Sequence, residues 1–263
     1  MKFRFLLTSL IALSVFIACN NESPTTSVQD SLSPAPVIPA SDVKKLDTAL
    51  YFAGLWVNEQ YVNDVKHTRR PSNVEVPENA CIIMPVKTLK ETSLILGFHE
   101  GQEVVILKNG SRYEIWDKPV LNKLQDIELL SDTRLKLGFD TFVKLKSGDL
   151  SAEKNPYNIV DLLLFAGRYK DEHGATVEFS ADGRVKGIPG INVYEAWLDY
   201  ATSEAVTDQM SMGATGETMK DYAFRFDKNR LIISHMKCKT MGEDSICQEY
   251  AVGERYLTLT REN

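Results

Sequence analysis

Two similar stretches, LYFAGLW (residues 50–56) and LLFAGRY (residues 163–169), decide how this chain is interpreted. Each ends a short apolar segment that predicts a helix, over residues 43–52 and 159–165, with Asp42 and Asn158 as candidate N-caps. A polar, turn-forming segment, KSGDLSAEKNP (residues 146–156), separates the two halves. An internal repeat of this kind predicts two similar domains, which we place at residues 43–150 and 157–263.

After each of the two stretches, short apolar runs alternate with turn-forming residues. The turn signals include KNGS (residues 108–111), ADG (residues 181–183) and DKN (residues 227–229), and Asn-Gly is the strongest hairpin signal of the three. Regularly spaced short strands predict an all-β chain with two small antiparallel β-barrels. The predicted strands cover residues 55–57, 81–86, 93–98, 103–108, 112–116, 126–130, 134–137 and 141–145, and then 167–170, 175–179, 184–187, 193–200, 209–212, 222–226, 231–235 and 256–260.

A short helix that leads into Gly-x-Trp on a first strand resembles the signature of lipocalin and calycin barrels. Gly54-Leu55-Trp56 matches this motif, and Gly167-Arg168-Tyr169 departs from it conservatively. The resemblance implies that a basic residue of the last strand packs on the aromatic ring, a structural interaction of cation and ring. Arg261 would do this for Tyr169, and Lys144 or Lys146 for Trp56.

The second half also resembles the central segment of META-type envelope domains, through FSADGRVKGIPGINVY (residues 179–194). The pattern of that family is Gly-x-x-Gly-Cys-Asn-x-Tyr, and Ile191 replaces its cysteine here. A META-type domain is therefore the alternative interpretation of residues 157–263.

The N-terminus has the parts of a bacterial export signal, with MKFR followed by an apolar run over residues 5–18. FIAC (residues 16–19) resembles the lipobox of bacterial lipoproteins, which implies cleavage of residues 1–18 and lipidation of Cys19. Residues 20–42 are rich in Pro, Ser and Thr and predict a disordered tether. We expect a lipid-anchored protein of the cell envelope, on the outer membrane if there are two membranes. The alternative is an ordinary secretory signal.

Cysteine spacing agrees with an oxidising compartment. Cys238 and Cys247 flank a turn-like segment and predict a disulfide. A metal site is the alternative, but only His235 lies near them in sequence. Cys81 lies in an apolar run and is interpreted as a buried free thiol.

The sequence contains no complete catalytic motif, so we expect no catalytic residues, no metal and no cofactor. His99-Glu100 lacks the second histidine of a zinc-hydrolase helix. The net charge is −6 without a basic block, which makes nucleic acid an unexpected partner. The remaining candidate is a basic cluster, His67, Arg69 and Arg70, in a predicted loop over residues 61–79 that would cover a barrel mouth; solvated loop charges are the alternative.

These features favour non-covalent binding over catalysis. We expect a lipocalin-like binder of a small apolar or amphipathic ligand, with His67, Arg69, Arg70, His99 and Glu100 as candidate ligand-binding residues. A protein-binding envelope module, such as a hydrolase inhibitor or an assembly or stress-response scaffold, is the second hypothesis. An enzyme is the third.

Overall fold

The computed structural model describes two eight-stranded antiparallel barrels within one compact unit. The described residues are 51–77, 81–84, 92–96, 100–118, 120–147, 158–198, 200, 207–242 and 247–262, with only the backbone for 81–84, 92–96 and 100. The predicted signal peptide, Cys19 and the tether lie outside these residues. Among the described residues, no helix has the length and apolar character needed to cross a membrane.

The first barrel runs up and down in chain order, and its last strand pairs with its first through Val57 and Val143. Its strands are β1 (Gly54–Asn58), β2 (Cys81–Met84), β3 (Thr92–Leu96), β4 (Glu100–Asn109), β5 (Arg112–Asp117), β6 (Lys123–Ser131), β7 (Arg134–Leu137) and β8 (Asp140–Ser147).

The second barrel has the same order and closes where Arg261 pairs with Tyr169. Its strands are β9 (Gly167–Lys170), β10 (Thr176–Phe179), β11 (Arg184–Ile188), β12 (Ile191–Ala196), β13 (Gln209–Gly213), β14 (Lys220–Asp227), β15 (Arg230–Met241) and β16 (Cys247–Arg261). The all-β prediction with two barrels is confirmed, and each predicted strand overlaps an observed one.

Two of the predicted turn sequences form the turns between adjacent strands, as expected. Asn109 pairs with Arg112 across the predicted hairpin, and Gly110 takes a φ of +62°, which glycine adopts without a steric penalty. In the second barrel, Lys228 takes a φ of +56° in the DKN turn between β14 and β15.

The predicted loop over residues 61–79 is wrong for its first part, because Glu59–Thr68 forms an α-helix, α1. The Asn58 side chain caps α1 by accepting a hydrogen bond from the Tyr61 backbone N–H at 3.1 Å. Tyr61, Val62 and Val65 form one buried stripe at helical spacing. The stripe is narrow and lies among polar residues, so the sequence pattern of this segment predicts a loop instead of a helix. A 3₁₀ turn at Pro71–Asn73 follows α1.

The two barrels have separate hydrophobic clusters, and α1 belongs to the cluster of the second barrel. Trp56 points into the first barrel, whereas its neighbours Leu55 and Val57 point outward and pack in one cluster with the α1 stripe. The same cluster contains the interior residues of the second barrel, such as Phe165 and Tyr194. β1 is therefore buried on both faces and contributes to both clusters, while α1 packs with its outward face in the cluster of the second barrel.

The predicted helix before the second barrel is a π-helical turn at Asp161–Phe165. The helical run begins at Ile159, and Asn158 caps it as predicted, since its Oδ1 accepts a hydrogen bond from the Asp161 N–H at 2.8 Å. The turn sends Phe165 into the barrel, where its ring centroid lies 4.9 Å from that of Phe224 and 5.8 Å from that of Tyr194. Aromatic side chains thus fill the interior of the second barrel at this level.

Candidate binding cleft

The two barrels close in the same way. The indole N–H of Trp56 donates to the Phe52 carbonyl at 2.8 Å, and the Tyr169 hydroxyl donates to the Phe165 carbonyl at 2.9 Å. Lys144, and not Lys146, supplies the cation of the first barrel, with Nζ 4.7 Å from the Trp56 ring centroid.

Arg261 supplies the cation of the second barrel. Its Cζ lies 5.7 Å from the Tyr169 ring centroid. Its guanidinium donates to the Leu164 carbonyl at 3.2 Å and to the Ala166 carbonyl at 2.6 Å. A Cβ added to Gly167 would lie 3.0 Å from Arg261 Nη2. The absence of a side chain at Gly167 therefore leaves room for the guanidinium group. Arg261 is therefore held in a single position at the edge of the barrel.

A surface cleft of about 410 Å³ lies beside this arginine. One wall comes from the end of α1, through Lys66 and Arg69, and the apolar floor comes from the π-helical turn, through Leu163 and Leu164. Leu164 is buried and Leu163 is half-buried, so the floor presents part of one leucine side chain to the opening.

The opposite wall of the cleft comes from two strand ends of the second barrel. The turn between β14 and β15 contributes Lys228 and Asn229, and the end of β16 contributes Arg261 and Glu262. The cleft is composite, because α1 follows the first strand of barrel one whereas the other walls belong to barrel two.

Arg69 holds the two walls together. It ends α1 in the left-handed conformation, with φ +52°. Its guanidinium lies 4.1 Å from the Phe226 ring centroid and donates to the Lys228 carbonyl. Burial lowers the pKa of Arg69 from its usual value, and the nearby charge of Arg261 acts in the same direction. The two guanidinium groups are thus close enough to repel each other.

The other members of the predicted basic cluster have different surroundings. His67 is exposed on the last turn of α1 and does not line the cleft. Arg70 lies 3.6 Å from a carboxylate oxygen of Asp208, whose other oxygen accepts a hydrogen bond from the Ser72 N–H at 2.8 Å. Asp208 is buried at the start of the β13 segment, so these contacts join the chain after α1 to the second barrel.

The remaining predicted residues do not reach the cleft. His99 and the side chains of Glu100 and Cys81 lie outside the described part of the chain, although the backbone of Glu100 begins β4. Cys238 and Cys247 form a disulfide near the end of the β15–β16 hairpin. Among the residues that the structure describes, no group of three or more His, Cys, Asp or Glu is arranged to hold a metal ion.

Sequence reasoning missed most of this site. Leu163 lies within the repeated stretch and Arg261 was assigned only to the closure of the barrel, while Lys66 and Lys228 belong to ordinary polar segments. The only signal for the cleft was the basic pair that contains Arg69.

A second, smaller depression of about 320 Å³ lies on the second barrel around Trp197, Leu198 and Ser211. Comparisons of the chain with protein-family models, with curated proteins and with solved structures found no match. The chemistry of the cleft therefore carries the functional interpretation.

Proposed function

We propose that this chain is a lipid-anchored protein of the bacterial cell envelope that binds a small amphipathic ligand non-covalently. The binding site is the cleft between α1 and the second barrel. The cleft volume of about 410 Å³ falls in the range of about 300–1,000 Å³ that is usual for small-molecule sites.

One observation carries this choice of site. The interior of the second barrel is occupied by its own aromatic side chains, with ring centroids 4.9 Å apart for Phe179 and Tyr194 and 5.6 Å apart for Tyr169 and Phe179. A cleft with an apolar floor and a charged rim remains available at the surface, and this combination suits a molecule with one apolar and one polar end.

Native mass spectrometry tests the proposal directly. The lipidated protein is extracted from its own envelope in a mild detergent, and its mass is compared before and after organic extraction. We expect one small molecule per chain. A mass without any bound molecule, and without a shift after incubation with envelope extracts, would contradict small-ligand binding.

A matched pair of variants locates the ligand. Asn229→Trp narrows the cleft, and Asn122→Trp changes an equivalent exposed turn of the first barrel. The two asparagines are comparable because the backbone carbonyl of each accepts one hydrogen bond at 2.9 Å. The donor to Asn229 is the Arg261 N–H, and the donor to Asn122 is the Asp117 N–H. We expect Asn229→Trp alone to lose the ligand. Retention by both variants would place the ligand elsewhere.

The anchor has its own test. Cys19→Ser removes the predicted lipidation site, so the variant should lack the mass of the acyl groups that the wild-type chain carries. Two or more acyl chains bind a membrane stably at about 0.8 kcal/mol per buried CH₂. A wild-type chain whose mass includes no acyl groups would contradict the lipoprotein assignment.

A protein-binding module is the second candidate, and one observation favours it. The β15–β16 hairpin exposes Met241, Tyr250 and Val252 at 61%, 51% and 54% of their surface. Exposed apolar side chains grouped on one element are typical of protein contacts. Chemical crosslinking in the envelope tests this candidate, with a crosslinking probe at Tyr250 and a control probe at Arg112 of the first barrel. Capture of a protein by the Tyr250 probe alone would favour the protein-binding module.

A further inference from the structure

We infer that the cleft recognises an oxyanion, a carboxylate or a phosphate monoester, at the end of a short apolar chain. The inference rests on the proposed binding in the cleft and specifies the chemical class of the ligand. It follows from the charges, the donors and the apolar floor of the cleft.

The charges that line the cleft are strongly unequal. Lys66, Arg69, Lys228 and Arg261 face a single carboxylate, that of Glu262. The Glu262 oxygens already lie 3.5 Å from Arg168 Nε and 3.7 Å from Lys170 Nζ. Within the described chain, none of the four lining cations forms a salt bridge. A bound anion would supply the missing negative charge.

Two of these cations are held in place before any ligand arrives. Arginine has five N–H donors, of which the protein uses two from Arg261 and one from Arg69. Both guanidinium groups are held by backbone carbonyls and an aromatic ring, so little side-chain freedom is lost when they bind a ligand. Planar guanidinium groups match carboxylate and phosphate oxygens in pairs.

The apolar floor of the cleft indicates that the ligand also has an apolar part. Leu163 and Leu164 lie on the π-helical turn, and Arg261 donates to the Leu164 carbonyl at 3.2 Å. An anionic head at the guanidinium groups therefore leaves an attached alkyl chain next to Leu163. A free cation is repelled by the four positive charges, and a neutral head leaves their repulsion unrelieved.

Calorimetric titration of the mature chain, residues 19–263 prepared without acyl groups and with its disulfide intact, tests the inference. The probes are octanoate, octyl phosphate, octanamide and octylammonium at pH 7 and low salt. We expect octanoate and octyl phosphate to bind one per chain, octanamide at least tenfold more weakly, and octylammonium not at all. Added salt should weaken the anionic probes because it screens the charges.

Arg69→Gln should weaken octanoate binding at least tenfold, while Arg112→Gln, an exposed arginine of the first barrel, should leave it unchanged. Arg69 also stacks on Phe226, so the fold of the variant is checked by near-ultraviolet circular dichroism. Lys228→Gln removes an exposed charge of the same cleft and serves as the second variant. Unchanged octanoate affinity in folded Arg69→Gln and in Lys228→Gln would overturn the inference.

Three other outcomes would overturn this inference separately from the proposed function. Equal affinity for octanoate and octanamide, both lost in Asn229→Trp, would overturn recognition of the oxyanion and leave the cleft as a binding site. Absence of binding by all four probes would overturn the inference, whereas native mass spectrometry decides the proposed function independently. If inorganic phosphate competed for the cleft with the same affinity as octyl phosphate, the apolar chain would contribute nothing to binding. This result would also overturn the inference.

Discussion

Gly54 and Gly167 begin the first strand of their barrels, at φ angles of +133° and +151°. Residues with side chains rarely adopt this backbone conformation. A Cβ on Gly54 would lie 2.1 Å from the carbonyl oxygen of Lys146, which belongs to the closing strand β8. The glycine of the Gly-x-aromatic motif is therefore required where the first and last strands approach each other.

Gly54→Ala and Gly110→Ala form a matched test of this requirement. Gly110 also has a positive φ, but no atom lies within 4 Å of the position that a Cβ would take there. We expect Gly110→Ala to cost about 1 kcal/mol, the usual penalty of the left-handed conformation. Gly54→Ala should cost about 3 kcal/mol or more, because a backbone clash is added. Urea unfolding measures both, and equal losses would contradict the close approach.

Asp161 is the most deeply buried carboxylic acid that the structure describes. Its Oδ1 accepts a hydrogen bond from the Ala196 N–H at 2.9 Å, and its Oδ2 has no hydrogen-bond partner. Burial raises the pKa of Asp161 well above its usual value of 3.8, although the Ala196 N–H opposes the shift. As the pH rises past 3.8, the unfolded chain loses this proton first, and the folded chain keeps it.

The contribution of Asp161 to stability is therefore full below the unfolded pKa and is lost as the pH rises through the folded pKa. We expect Asp161→Asn to reduce the fall in the free energy of unfolding between pH 4 and pH 7, because the amide does not ionise. Exposed Asp132→Asn is the control. Urea unfolding at both pH values measures the difference, and parallel pH profiles for Asp161→Asn and the wild-type chain would contradict a buried, protonated carboxyl.

At the scale of elements, the β15–β16 hairpin extends beyond its barrel. β14 pairs with β15 only as far as His235, and from Met236 onward β15 pairs with β16 alone in the described residues. A two-stranded hairpin is marginally stable in water. The disulfide between Cys238 and Cys247, nine residues apart, closes this extension and joins its strands covalently.

Cys238→Ser combined with Cys247→Ser should destabilise the extension without unfolding the barrel. Closing a loop of this length contributes up to about 2.5 kcal/mol by the chain-entropy relation. We expect faster hydrogen exchange at residues 236–241 and 247–252 and unchanged exchange in β9 and β10. Exchange followed by mass spectrometry checks this, and faster exchange throughout the barrel would mean that the disulfide supports the whole domain.

At the scale of the whole molecule, α1 makes the two barrels depend on each other. Val65 is fully buried and belongs to the same cluster as the interior of the second barrel, together with Leu55 and Val57 of β1. The Asp208 contacts with Ser72 and Arg70 add polar connections beside this core. Because β1 of the first barrel and α1 are buried against the second barrel, we expect the two barrels to unfold together.

Val65→Asp tests this cooperativity. A charge buried at this position should cost about 3 kcal/mol or more and separate the barrels. We expect one calorimetric transition in the wild-type chain and two in Val65→Asp. Asn63→Asp, on the exposed face of α1, introduces the same residue and should keep a single transition. Two transitions in the wild-type chain would contradict this coupling through β1 and α1.

The sequence by itself determined the local structure of this protein. Alternation of apolar residues and turn chemistry such as that at Asn109-Gly110 predicted the sixteen strands found in the described residues, and the family resemblance of the two aromatic motifs implied the packing of Arg261 on Tyr169. These features depend on residues that are neighbours in sequence or in adjacent strands, so their signals are strong.

Only the tertiary structure decided the role of α1 and the position of the cleft. The stripe of Tyr61, Val62 and Val65 packs with Leu55 and Val57 of β1, but most members of its cluster belong to the second barrel and are distant in sequence. The cleft likewise combines the end of α1 with the ends of β14 and β16, which meet only after both barrels close. Charges that are ordinary surface residues in their own segments become a concentrated positive site when the fold brings them together.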